Sequence, residues 1–156
     1  MNRIINKKFI LLIEDNRDDE ELTKMAFEQS GINNEVEVVR DGAEALDYLF
    51  GTGTHAERDI SAKPTVILLD LKLPKVSGLE VLRRLRKDER TQFLPVVILT
   101  TSKDDRDIIS SYKLGCNSYV RKPVDFNEFL TATQQLGLYW LSLNETLPDR
   151  GLIGSD

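Results

Sequence analysis

Four short apolar runs punctuate the chain, and each stops at a polar residue. Phe9–Ile13 meets Glu14 and Asp15, and Val66–Leu69 meets Asp70. Val96–Leu99 meets Thr100, and Tyr119–Val120 leads through Arg121 to Lys122 and Pro123. Runs this short, rich in β-branched residues, predict strands of a parallel sheet buried on both faces. Val36, Val38 and Val39 predict a further strand, second in chain order.

Between the strands the apolar spacing becomes helical. Asp18–Gln29 predicts a helix with Leu22, Met25 and Ala26 on its buried face and Gly31 after its end. Its first turn carries Asp18, Asp19, Glu20 and Glu21, where the helix dipole favours negative charge. Asp41 caps a helix carrying Ala45, Leu46, Leu49 and Phe50. Residues 51–64 show no apolar period and predict a long loop. A helix with Leu79, Leu82 and Leu85 follows the turn marked by Leu73–Pro74 and Gly78, and another is expected near Asp104–Leu114. The last helix starts near Asp125, shows Phe126, Phe129, Leu130 and Thr133, and extends toward Leu143 despite Gly137. Pro148–Asp156 is expected to fray. Five βα units with right-handed crossovers give an α/β, doubly wound, five-stranded parallel sheet with helices on both faces.

Composition narrows the functional classes. A length of 156 residues suits one domain over 1–156, with no room for an output domain. The net charge of -5 argues against nucleic-acid binding, which needs a basic surface. The N-terminal apolar run is too short for a signal peptide or membrane span. Cys116 is the only cysteine, so no intrachain disulfide forms, and a cytoplasmic location is expected.

In doubly wound sheets reactive groups gather at the carboxyl ends of the strands. Glu14, Asp15 and Asp70 would then lie side by side, raising one another's pKa unless a cation compensates. Oxygen ligands without His or Cys select a hard ion, Mg²⁺ or similar. Thr100 and Lys122 add a hydroxyl and an ammonium for phosphoryl oxygens. Asp70, in the middle of the sheet, is the candidate nucleophile for an aspartyl-phosphate.

Four segments carry a family resemblance: IEDN at 13–16, LLDLKLPKVSG at 68–78, LTTS at 99–102 and YVRKP at 119–123. Together they resemble the receiver domain of two-component response regulators, with its flavodoxin-like fold, over a core of about residues 8–136. Residues 137–156 would form a helix extension and tail. The resemblance implies phosphorylation of Asp70 by a sensor histidine kinase or a histidine phosphotransfer protein. It implies Asp15, Asp70 and the Lys72 carbonyl as direct ligands of Mg²⁺ or Mn²⁺, with Glu14 acting through water. Thr100, Lys122 and the Thr101 N–H would hold the phosphoryl oxygens, and Tyr119 would be an aromatic switch. The Lys122–Pro123 bond would be cis. The long loop, the DLKLPK segment and Tyr139–Trp140 followed by Pro148 are similar to stand-alone regulators that work with bacterial phytochromes.

Some positions depart from the common pattern or invite over-reading. Thr101 is bulkier than the Ala or Gly often found there, which favours slower hydrolysis of the acyl phosphate. Lys72 and Ser77 stand where neutral or amide and acidic side chains are frequent. His55 reads as a loop residue and Cys116 as a small buried hydrophobe. Leu136, Tyr139, Trp140 and Leu143 form an apolar strip that predicts a homodimer.

Three rival functions fit less well. A phosphohydrolase of the haloacid-dehalogenase type needs an acid two residues after the nucleophile, where this chain has Lys72. A nucleotide or flavin site needs a Gly-rich loop after the first strand, where this chain reads EDNRDDEE. A DNA-binding regulator needs an output domain and a basic face. No turnover of a separate substrate is expected.

Overall fold

A computed structural model describes residues 8–148. Five parallel strands form one sheet: β1 (Phe9–Ile13), β2 (Glu35–Val39), β3 (Val66–Leu69), β4 (Val96–Thr100) and β5 (Ser118–Arg121). Their spatial order is β2-β1-β3-β4-β5, so β3 is central. Ile13 lies beside both Val39 and Leu69, Leu69 beside Ile98, and Thr100 beside Arg121. This register brings the carboxyl ends of β1, β3, β4 and β5 to one rim. The expected doubly wound architecture is the one observed.

Alternation along the strands sends successive residues to opposite faces. Leu11, Ile13, Ile67, Leu69, Val96 and Ile98 pack on one side with α2 (Gly42–Phe50) and α3 (Gly78–Lys87). Leu114 of α4 (Asp105–Leu114) packs against the same cluster. Ile10, Leu12, Leu68 and Val97 pack on the other with α1 (Arg17–Gln29) and the residues following α5 (Phe126–Leu138). No helix of the described residues is long and apolar enough to cross a membrane.

Local chemistry sets the helix starts. Asn16, Asp41, Ser77, Asp104 and Asp125 each accept a backbone N–H from the first turn of α1 to α5 in order. The buried face of α1 differs from expectation. Thr23, Ala26 and Phe27 face inward, while Met25 is exposed. Phe27 takes that place because α5 approaches it at Gly137, where a Cβ would stand 2.6 Å from Ile32 Cδ1 and 2.8 Å from Phe27 Cε1. Gly137 therefore serves helix packing and does not interrupt α5.

The end of the chain also differs from a simple helix extension. After Leu138 the backbone widens into a π turn, Tyr139–Leu143, which carries Trp140 and Leu141 into the core. Lys8 Nζ donates to the Leu141 carbonyl at 2.9 Å and ties this turn beside β1. Apart from Pro148, the tail expected over Pro148–Asp156 lies outside the described residues.

The loop of residues 51–64 is more structured than its lack of periodicity suggests. It contains a 3₁₀ turn, Gly53–His55. His55 Nε2 lies 3.2 Å from Glu44 Oε2, and the Arg58 guanidinium stacks 3.8 Å above the Tyr48 ring. These ties to α2 are polar and cation–π contacts, which leave no apolar period in the sequence.

Candidate functional site

Asp70 follows the last residue of β3, and its backbone N–H donates to the Ile13 carbonyl at 3.1 Å. Glu14 follows β1 and donates from its N–H to the Val39 carbonyl at 3.0 Å. The register that pairs β1 with both neighbours thus sets the two carboxylates side by side. Oxygens of Glu14, Asp15 and Asp70 all lie within 4.8 Å of one another. Glu14 and Asp70 are buried, whereas Asp15 is exposed.

The turn after Asp70 is fixed by close backbone packing. Gly78 N–H donates to the Leu71 carbonyl at 2.9 Å, and Gly42 N–H donates to the Pro74 carbonyl at 3.2 Å. A Cβ on Gly78 would overlap the Asp70 carbonyl oxygen and stand 2.7 Å from Leu71 Cα. Gly78→Ala is expected to cost about 1–3 kcal/mol of stability. Chemical denaturation measures this, and an unchanged midpoint would show that the turn relaxes freely.

Lys122, just after β5, reaches across the rim. Its side chain is 4% exposed. Its ammonium donates to Glu14 Oε1 at 2.8 Å, Asp19 Oδ2 at 2.7 Å and Asp70 Oδ2 at 3.1 Å. The three N–H bonds are matched by three carboxylates. Burial opposes the charge, but Glu14, Asp19 and Asp70 outweigh it and hold the ammonium firmly protonated. Asp19 is the site residue that sequence reasoning missed; its place in the first turn of α1 has a sufficient local explanation in the helix dipole.

Burial pushes Glu14 from its ordinary 4.5 up to about 7, with the Asp70 charge adding to the effect and Lys122 and the Asn16 N–H opposing it. A carboxyl that holds its proton more tightly in the folded state favours folding at low pH. That contribution is complete below about 4.5 and is lost as pH rises through about 7. A metal needs the carboxylate and is therefore favoured as the proton leaves. The Mg²⁺-induced rise in Tm is expected to be larger at pH 8 than at pH 5.5. Glu14→Gln should shrink that difference, and a difference of the same size in both proteins would exclude Glu14 as its source.

Thr100 is fully buried at the end of β4, and its carbonyl accepts the Lys122 N–H at 2.7 Å. Thr101 is exposed at the rim. Tyr119 on β5 is half-buried, packs against the α2–α3 side of the core and donates its hydroxyl to the Ser102 carbonyl at 2.9 Å. Ser102 in turn donates to Asp107 Oδ2 at 2.6 Å, linking the β4–α4 loop to α4.

Two site expectations need correction. The described residues contain no cis peptide bond, so Lys122–Pro123 is trans. Trans is favoured by about 0.5–1 kcal/mol at X–Pro bonds, and Lys122 reaches its three carboxylates without the rarer isomer. Trp140 does not belong to a surface strip: it is 7% exposed and packs among Ile10, Leu12 and Phe27. Leu136 packs against the same cluster, leaving Tyr139 and Leu143 exposed.

The donor set fits a hard divalent ion, because the clustered ligand atoms are all carboxylate oxygens. Lys72, two residues beyond Asp70, is a cation on an exposed turn, not the acid a phosphohydrolase would need. A cavity of about 750 Å³ opens elsewhere, at the amino-terminal end of the sheet between Lys8, Tyr48, Arg58 and Phe93, and includes none of these groups.

This chain belongs to the response regulator receiver family, whose sequence model matches residues 10–134. It is 42% identical over 137 residues to the probable methanogenesis regulatory protein FilR2 of Methanothrix harundinacea, covering 88% of this chain and 86% of that protein. It is 38% identical over 141 residues to the response regulator Rcp1 of Synechocystis, covering 90% and 93%. A Mn²⁺-bound structure of Rcp1 superposes with a TM-score of 0.84 at 34% identity, covering 90% of this chain and 99% of that one. The phosphorylated cyanobacterial phytochrome response regulator RcpA also gives 0.84, at 37% identity, covering 91% and 99%. The bacteriophytochrome response regulator AtBRR gives 0.70 at 51% identity, covering 90% and 99%.

Proposed function

We propose that this receiver accepts a phosphoryl group on Asp70 in a Mg²⁺-dependent reaction and signals through phosphorylation-controlled protein–protein contacts. The observation that carries this reading is the placement of Asp70 at the end of the central strand. It lies beside Glu14 and Asp15, with the Lys122 ammonium 3.1 Å away. The donor is a sensor histidine kinase or a histidine phosphotransfer protein. Likeness to RcpA and AtBRR, both described as phytochrome regulators, supports a phytochrome as the kinase.

Asp15, Asp70 and the Lys72 carbonyl would hold the Mg²⁺, with Glu14 acting through water. The ion would offset charge on the phosphoryl oxygens. An Asp70 oxygen attacks phosphorus, an acyl phosphate forms, and the bond from phosphorus to the donor breaks with its electron pair on the donor. Lys122, the Thr100 hydroxyl and the Thr101 N–H hold the phosphoryl oxygens. Thr100 moving toward the phosphate frees space for Tyr119, and its link through Ser102 to α4 passes the change to the surface. The domain then acts without turnover of a separate substrate, in the cytoplasm. It pairs with a second copy through the exposed Tyr139 and Leu143 near the end of α5.

Acetyl phosphate with Mg²⁺ is expected to add one phosphoryl group, seen by intact-mass spectrometry, and chelation by EDTA should prevent it. Labelling that proceeds equally with EDTA would contradict the metal role. No labelling from acetyl phosphate or from any histidine kinase would contradict the reading as a whole.

A further inference from the structure

Lys122 has no N–H left for a phosphoryl group. Its ammonium donates to Glu14, Asp19 and Asp70, and the 2.7 Å contact to Asp19 is the shortest of the three. Binding a phosphoryl oxygen therefore means giving up one of these carboxylates. Glu14 is 2% exposed, so releasing it would leave a buried carboxyl without its partner and with no water to replace it. Asp70 releases the Lys122 N–H when its oxygen is esterified, and a second bond to the phosphoryl oxygens must then come from Glu14 or Asp19. Asp19 is different: its side chain is 24% exposed and water can replace the ammonium there.

Asp19 is also held where it stands. Its N–H donates to the Asn16 side chain at 2.9 Å, and its carbonyl accepts the Thr23 hydroxyl at 2.8 Å, both within the first turns of α1. Its backbone is thus anchored independently of Lys122. Through Lys122 its charge stands near those of Glu14 and Asp70, which with Asp15 repel an incoming phosphoryl dianion.

We propose that Asp19 is a positioning residue that holds the Lys122 ammonium in reserve and yields it when the phosphoryl group arrives. This rests on the reading of Asp70 as the phosphoryl acceptor. Asp19 then competes with the phosphoryl group for one N–H and lowers the occupancy of the phosphorylated state. The competition belongs to this chain's α1 and is separate from the metal ligands.

Beryllofluoride, a tetrahedral mimic of the phosphoryl group, tests this at saturating Mg²⁺ by two-dimensional NMR titration. Asp19→Asn is expected to bind it about 3–10-fold more tightly than wild type, the effect of removing one partly screened charge. Acetyl phosphate should label Asp70 faster by a similar factor. Asp19→Glu, which keeps the charge, should return both values toward wild type. Damage to the fold lowers affinity, so a gain in affinity marks competition and not structure. Equal or weaker binding in Asp19→Asn, or the same gain in Asp19→Glu, overturns the role of Asp19 alone. A wild type that neither binds beryllofluoride nor is labelled removes the reading of Asp70, and this proposal with it.

Discussion

Asp70→Asn is expected to lose phosphorylation by at least about 100-fold, equivalent to roughly 2.7 kcal/mol in the barrier. The amide has nearly the same shape but is not ionised and does not form an acyl phosphate. Stability should move the other way. In the folded protein Glu14, Asp15, Asp19 and Asp70 gather near one ammonium, so removing a negative charge relieves repulsion. Lys122 keeps its bonds to Glu14 and Asp19. Without Mg²⁺ the variant should melt at the same temperature as wild type or higher, and its gain on adding Mg²⁺ should be smaller. Intact-mass spectrometry and thermal denaturation measure the two effects. A variant labelled as fast as wild type would move the acceptor to another residue. A variant destabilised equally with and without Mg²⁺ would instead make Asp70 a structural carboxylate.

Trp140→Ala is expected to cost about 3–5 kcal/mol, the usual penalty for emptying a buried aromatic site. The indole is 7% exposed and packs with Ile10, Leu12, Phe27, Val97 and Leu141. It also meets the Tyr139 ring edge-on at a centroid distance of 5.0 Å. Urea denaturation followed by circular dichroism should show the loss. A change below about 1 kcal/mol would place Trp140 outside the core, since surface substitutions fall in that range. Self-association tests the other side of the same turn. Sedimentation with and without a phosphodonor should respond to Leu143→Asp, because Leu143 is 73% exposed. A variant that associates like wild type would remove Leu143 from the proposed dimer contact.

Much of this architecture is readable one element at a time. Strand β3 is four consecutive buried residues followed by Asp70, and β4 is five consecutive buried residues ending on Thr100. The residues that cap α2 and α5 act within three positions of themselves, as Asp41 and Asp125 show. These features depend on short-range chemistry, so the chain displays them directly. The buried face of α1 lies one position along from the expected stripe, because Leu22 and Met25 fit a helical spacing as well as Thr23 and Phe27 do. The choice belongs to Gly137, more than a hundred residues away, which admits Phe27 against α5.

The five-unit α/β sheet and the strand-end carboxylates Glu14, Asp15 and Asp70, with the nearby Thr100 and Lys122, are written in the order of residues alone. They are legible there because strand periodicity and the fate of strand ends are consequences of local pattern and backbone geometry. That Asp19 shares Lys122 with Glu14 and Asp70, and that Trp140 turns inward through a π turn, comes from the folded packing. Asp19 and Lys122 are 103 positions apart, and nothing local to either one requires the other. An ion pair forms where the folded chain puts two charges together, and a large aromatic fills whichever gap the packed elements leave.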